Sequence, residues 1–285
     1  MREGQASVTS MWVAAWRGLG AFDAPVVAVD PHARSLVPRR YGRVLEAAER
    51  WPRLTRAAFR AAVLATGGLA RHLPLRTRAI DDVVAREVAN GTDQLVLLGA
   101  GLDARAHRLE GLASTHVFEV DHPASQADKR VAAGGLPQRA RSIRYVGMDF
   151  SKDDLRACLG STGFDAAKPA VFVWEGVTMY LSRQAIEATL ANLHALAAPR
   201  SALLATYYTR HHPLGTRLVL PFFALAGEPL TTRMSGTEMA ELLALHGFAA
   251  ESDEGDAEWS LRWSGKPCRF AMSERLVTAR VARAG

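Results

Sequence analysis

The sequence predicts an α/β protein built on a doubly wound parallel sheet. Three observations carry that reading. Short apolar runs closing on glycine or an acid recur along the middle of the chain, helical periodicities separate them, and one run enters the Gly-Ala-Gly turn at 99–101. Ligands of such sheets bind at the carboxyl ends of the strands, so the residues that close each run are the site candidates.

Residues 1–77 read as an N-terminal helical cap, rich in Ala and Arg and broken by Pro25, Pro31, Pro38 and Pro52. The core, 78–208, opens with "RAIDDVVAREVANG", which sets Ile80, Val83, Val84 and Val88 on one helical face and Gly91 at the C-cap. A strand over 95–98 follows, then the glycine turn and a helix or turn to about residue 111. "HVFEVD", 116–121, is a second strand ending in Glu119 and Asp121, and "SQADKRVAAGG" the next helix. "SIRYVGMDF", 142–150, is a third strand closing on Asp149; "AVFVWEG", 170–176, is almost continuously apolar, as buried parallel strands are, and carries Glu175. A helix over 182–197 places Ile186, Leu190, Leu193 and Leu196 together behind a Ser182 N-cap, and 201–208 is a fifth strand. Residues 209–247 read as a helical lid insertion whose last helix starts with a Ser235/Glu238 capping box. Residues 248–285 supply the C-terminal strands, of which "SERLVTARVA" is distinct.

The 285 residues, 48% of them hydrophobic, suit one domain with a sizeable core. The formal charge of +6 suggests nucleic acid, but only four of the 35 basic residues are lysines, and the arginines are scattered among Ala, Gly and Leu. That pattern reads as base composition, so no nucleic-acid partner is expected. Cys158 and Cys268 form no CxxC or metal spacing, which suits a reduced, cytoplasmic enzyme without a metal site. No window approaches the ~20 apolar residues of a membrane span and the N-terminus has no signal-peptide pattern, so no membrane partner is expected.

"GAGLDA" fits a variant dinucleotide fingerprint with an acid about 20 residues on, which keeps an NAD(P)-dependent oxidoreductase as an alternative. Three details oppose it. The motif stands far into the chain, Asp103 would meet a diphosphate with like charge, and Asp149 has no place in the fingerprint. S-adenosyl-L-methionine (SAM) accommodates all three, because it lacks phosphates and carries a sulfonium and an ammonium. Gly99 and Gly101 would admit it closely, Asp121 or Glu119 would accept from the ribose hydroxyls, and Asp149 from the adenine amino group. A strand-end acid taken alone serves equally well as a helix cap; the signal is their order after one glycine turn.

The stretches "LPLRTRAIDD", "VLLGAGLDARAHRL", "VFEVDHPASQADKR", "VGMDF" and "WEGVTMYL" resemble, in this order, the leucine carboxyl methyltransferase-like family of class I SAM-dependent methyltransferases. The likeness covers about residues 70–210, with "GEPLTTRMSGTEMAELLALHGF" extending it toward the bacterial secondary-metabolite branch. It implies a seven-stranded Rossmann-like methyltransferase sheet. It also implies that Arg76, or Arg78 in its stead, pairs with the SAM carboxylate, and that Gly99, Ala100 and Gly101 lie along the methionine part. Asp103 would support that loop or the ammonium. Asp121 becomes the ribose acid with Glu119 second, Asp149 and Phe150 the adenine contacts, Glu175 an acid near the amine, and Tyr180 a wall of the acceptor pocket.

A carboxylate acceptor is ionised at neutral pH and needs no base, whereas a phenol with a pKa of about 10 does. Arg210, His211 and His212, just beyond the fifth strand, offer a carboxylate clamp or a base. "LVLPFFALAG" and the Trp12/Trp16 region suit an apolar pocket for a hydrophobic carboxylic acid. The expectation is a SAM-dependent O-methyltransferase that esterifies a small-molecule carboxylate. The alternatives are a hydroxyl acceptor with a His base, a peptide C-terminus, and a non-catalytic SAM- or RNA-binding module.

Overall fold

The computed structural model describes residues 8–150, 152–225 and 230–282. Residues 226–229 of the expected lid and 283–285 of the expected C-terminal unit lie outside the described residues. Seven strands form one sheet: β1 (Gln94–Leu98), β2 (His116–Asp121), β3 (Ser142–Gly147), β4 (Val171–Trp174), β5 (Ala202–Tyr208), β6 (Phe248–Glu254) and β7 (Glu274–Val281). Their order is β3-β2-β1-β4-β5-β7-β6. The first five are parallel, and β7 runs antiparallel between β5 and β6.

Twelve helices flank the sheet among the described residues: α1 (Val8–Leu19), α2 (Ala33–Leu36), α3 (Arg39–Arg50), α4 (Pro52–Ala65), α5 (Leu69–Ala89), α6 (Arg105–Arg108), α7 (Pro123–Ala133), α8 (Leu155–Gly160), α9 (Arg183–Leu196), α10 (Leu214–Leu225), α11 (Gly236–Leu245) and α12 (Asp256–Ser264). Side chains alternate across each strand, which sorts the core into two layers. Val96, Leu98, Phe118, Phe172 and Trp174 pack on Leu155, Ile186, Leu190 and Met239, from α8, α9 and α11. Leu95, Leu97, Val117, Val173 and Leu276 pack on Ile80 and Val84 of α5 and Trp259 of α12. A third cluster joins Ala14, Ala33, Leu36 and Leu45 of the N-terminal helices to Leu102 in the loop after β1.

The structure starts α5 at Leu69, so the helix runs through Pro74 and across the expected 77/78 boundary. The expected caps are present: Ser182 Oγ accepts from Ala185 N, and Ser235 and Glu238 form a reciprocal capping box. β6 is the element the sequence reading did not single out. It is an edge strand in which Ala249 to Ser252 face solvent or nearly so, and its "AAESDE" carries little apolar signal.

One polar tie binds the layers. His72 of α5 is fully buried, with Nδ1 2.9 Å from Asp256 Oδ1 of α12 and Nε2 2.9 Å from Glu274 Oε2 of β7. Burial pulls the imidazole pKa down, but Asp256 and Glu274 outweigh it and raise the value from 6.5 to about 9. The folded chain therefore holds this proton more tightly than the unfolded chain. The stabilisation is complete below pH 6.5 and is lost as pH rises toward 9, at up to ~1.4 kcal/mol per pH unit. Urea unfolding at pH 6.5, 7.5 and 8.5 should show that decline, and His72→Gln, though less stable throughout, should lack it. An equal slope in both proteins would contradict the assignment.

Candidate functional site

The strand order reverses between β1 and β4, so the connections after them leave toward opposite faces and a crevice opens at their carboxyl ends. The β1 loop is held tightly there. Gly99 and Ala100 N–H groups donate to Val120 O at 2.8 and 3.1 Å, and Gly99 and Gly101 take φ of 67° and 45°, a region that favours glycine. A Cβ on Gly99 would stand 2.3 Å from Val177 Cγ2, so the turn lies directly against the segment after β4. Asp121, at the end of β2, accepts from Gly101 N at 2.5 Å and His122 N at 2.6 Å. Its burial raises the carboxyl pKa, and those two N–H groups offset only part of the rise. Met148 N donates to Asp121 O, which brings the end of β3 alongside. Asp149 follows, half-buried and 3.3 Å from Lys152 Nζ, and Phe150 packs on the core.

Behind the crevice runs a chain of buried charges. Arg105 Nε pairs with Asp81 at 2.7 Å, and Arg105 Nη1 pairs with Asp103 and with Glu175, the latter at 2.7 Å. Glu175 is shared with Arg76 Nε at 2.8 Å; Arg76 Nη1 reaches Glu274 at 2.7 Å, and Glu274 continues to His72 and Asp256. Arg108 closes the other end on Asp81 at 2.6 Å. Burial pushes the Glu175 and Glu274 carboxyls up, but the arginines more than reverse it, taking Glu274 to about 2. Asp103 is held well below the carboxylate range by Arg105 in the same way. Five carboxylates thus meet four cations, an excess of one buried negative charge before Asp121 is counted.

Several expected site residues stand elsewhere. Glu119, the second choice for a ribose acid, is fully buried beneath α7 with Lys129 Nζ 2.6 Å from its Oε2, so it does not face the crevice. Asp103 turns inward, accepting from the Arg105 backbone and guanidinium, and is neutralised within the protein. The like-charge argument against a diphosphate therefore passes from Asp103 to the whole cluster. Arg210 is exposed and clamps Glu238 at 2.6 Å, and His211 is exposed, its carbonyl accepting from Thr209 and Ser273 hydroxyls. Neither lines the cavity beside the crevice.

That cavity, about 50 Å³, lies between α1, α5, the segment after β4, the end of β5 and the start of β7. Trp12, Trp16, Leu73, Met179 and Tyr180 line its apolar side, and Arg76, Tyr208 and Glu274 its polar side. Arg17 of α1 donates to Leu102 O at 2.5 Å and pairs with Asp30 at 3.1 Å, which latches α1 onto the β1 loop. Sequence reasoning missed Arg105, Glu274, Tyr208 and His72. Arg105 lay inside the quoted "GLDARAHRL" motif, two residues after Asp103. Glu274 faces Tyr208 only through the antiparallel β5–β7 register, which one-dimensional spacing does not disclose.

The leucine carboxyl methyltransferase family model matches residues 10–194. A Mycolicibacterium smegmatis protein named as an S-adenosyl-L-methionine-dependent methyltransferase is 34% identical over 260 residues, covering 90% of this chain and 76% of that protein. A Streptomyces coelicolor protein with the same designation is 36% identical over 204 residues, 70% of this chain and 65% of its own, so the chain spans just under two thirds of that relative's length. Among solved structures, a DUF574 family protein from Streptomyces avermitilis superposes with a TM-score of 0.62 at 14% identity, covering 94% of this chain and 96% of that one. A Thermobifida fusca protein described as a methyltransferase gives 0.60 at 13%, covering 99% and 97%. The two superpositions share the fold: the seven-stranded Rossmann-like methyltransferase sheet. The chain belongs to the leucine carboxyl methyltransferase family, whose relatives are named for their use of SAM.

Proposed function

We propose that the chain transfers the methyl group of SAM to the carboxylate of a small, hydrophobic acid, forming a methyl ester. The observation that carries the cofactor part is the buried excess of negative charge at the carboxyl ends of β1 and β4. A ligand with a net positive charge compensates it, and a diphosphate aggravates it. The residues present fit SAM: Asp121 for the ribose hydroxyls, Asp149 and Phe150 for the adenine, and Gly99, Ala100 and Gly101 for close backbone approach along the methionine. Arg76, oriented by Glu175 and Glu274, presents its guanidinium to the cavity it lines and serves the ligand's carboxylate, while Glu175 adds negative potential for the ammonium.

When bound, SAM supplies a methyl group on a positively charged sulfur. The protein's part is alignment and exclusion of water around an in-line displacement. The cavity's makeup supports a carboxylate acceptor, because no suitable general base lines it among the described residues. Glu274 is held near 2 by Arg76 and His72, and burial lifts the Tyr208 hydroxyl well above its usual range. An acid already ionised at neutral pH needs neither. The tryptophan and leucine walls suit an apolar body on that acid. Tyr180 lines the same wall and is assigned to holding the acceptor.

Calorimetry with S-adenosylhomocysteine should show binding to the wild type and a loss of about 10- to 100-fold in Asp121→Ala, the cost of removing a charged hydrogen-bond acceptor. Binding of NADPH in place of S-adenosylhomocysteine would overturn the cofactor assignment. With a panel of hydrophobic acids and phenols, the carboxylate reading expects turnover that changes little between pH 6 and pH 8, and less than twofold loss in His211→Ala. A steep fall below pH 7 that His211→Ala abolishes together with activity would favour a hydroxyl acceptor and a His base.

A further inference from the structure

The arginines that look scattered in sequence are gathered by the fold. Seven of them, Arg39, Arg40, Arg43, Arg50, Arg53, Arg56 and Arg60, stand exposed on the α3–α4 hairpin, against two acids there, Glu46 and Glu49. Glu49 is already taken by Arg34, and none of the seven makes an ion pair among the described residues. The same hairpin exposes apolar surface. Trp51 at its corner is 60% exposed, Leu54 69% and Leu64 52%.

Helix α4 turns an apolar stripe outward as well as inward. Only Phe59 is buried, edge-on against Trp16 of α1 with ring centroids 6.2 Å apart. Arg53, Arg56 and Arg60 share one stripe at three- and four-residue spacing, and Leu54, Ala57, Ala61 and Leu64 share the next, all exposed. The corner is firmly built: Trp51 N donates to Ala47 O at 3.1 Å, and Thr55 donates through N and Oγ1 to Trp51 O. A solvent-facing tryptophan on a fixed corner beside an unpaired arginine stripe is the surface of an interfacial helix, with apolar side chains for the acyl boundary and cations for headgroups.

We propose that the α3–α4 hairpin docks on an anionic lipid surface. Charge selects this occupant over a second copy of the chain, since self-association would set the arginine stripes against each other. The outward leucines and Trp51 select it over nucleic acid, which would satisfy the arginines and leave the apolar stripe in water. No described helix is long and apolar enough to cross a bilayer, so the contact is peripheral. On the opposite, buried side of α4, Phe59 packs on Trp16, which lines the cavity, so the hairpin that docks also supports the cavity wall.

Flotation of the full chain with vesicles tests this. Vesicles of 30% phosphatidylglycerol in phosphatidylcholine should carry the protein and pure phosphatidylcholine should not. Arg53→Glu/Arg56→Glu/Arg60→Glu should weaken binding on the order of 100-fold, from the per-residue attraction of basic side chains to an anionic surface. Trp51→Ser should weaken it too and abolish the vesicle-induced blue shift of tryptophan emission. All these positions are exposed, so circular dichroism should be unchanged. The control triple Arg141→Glu/Arg144→Glu/Arg156→Glu, also exposed, should bind within twofold of wild type. Equal binding to neutral vesicles, equal loss in the control triple, or no vesicle binding beside tight duplex DNA binding that the α4 triple removes would each overturn the proposal.

Discussion

The structure depends on a buried chain of alternating charge from Asp256 through His72, Glu274, Arg76, Glu175 and Arg105 to Asp103 and Asp81. It crosses the sheet where the strand order reverses and ties α5, β4, β7, α12 and the loop after β1 into one unit. Such a chain is a poor source of net stability, because removing charges from water costs about what their attraction returns. Breaking one link is another matter, since it leaves a buried charge alone, at about 3–5 kcal/mol. The chain therefore acts as a geometric specification. It holds Glu175 between two guanidiniums and Arg76 between two carboxylates, so each functional group has a fixed direction before any ligand arrives.

That specification explains the role of the reversed strand. β7 enters between β5 and β6 in the opposite direction to β5, so its first residue, Glu274, lies at the carboxyl end of β5 opposite Tyr208. A parallel strand in the same place would present its last residue there. The direction of β7 thus delivers an acid from the far end of the chain to the crevice, where it meets Arg76.

Much of this was legible in the sequence, and what was not has a physical reason. The parallel strands showed themselves because both their faces are buried: "LVLL" and "VFVW" have nowhere to place a polar residue. Asp121 stood out by its place in a series of strand-end acids after one glycine turn, and the structure sets its carboxylate on Gly101 N. Glu119 misled because a strand places residues two apart on one face, and only α7, through Lys129, decides that this one lies under a helix. β6 was faint because an edge strand pairs through its backbone while its side chains face water. The arginines of α3 and α4 read as composition because periodicity alone leaves open which helix faces are exposed and whether an apolar stripe faces in or out.

Asp103 raised the question of the cofactor, and its place in the structure changes the reasoning. A lone carboxylate at a glycine turn would argue by direct contact, but Arg105 already occupies this one. On the proposed reading, what a ligand would meet is the imbalance of the whole chain, spread over five carboxylates and four cations. The cavity beside it, at about 50 Å³, is far below the ≈ 300–1,000 Å³ of small-molecule sites. α1 forms one wall of the space, and its Arg17 holds Leu102 O of the β1 loop. A hydrophobic acid of the proposed kind needs more room than the cavity offers, and a shift of α1 to supply it would strain the Arg17–Leu102 hydrogen bond to the loop proposed to receive the cofactor.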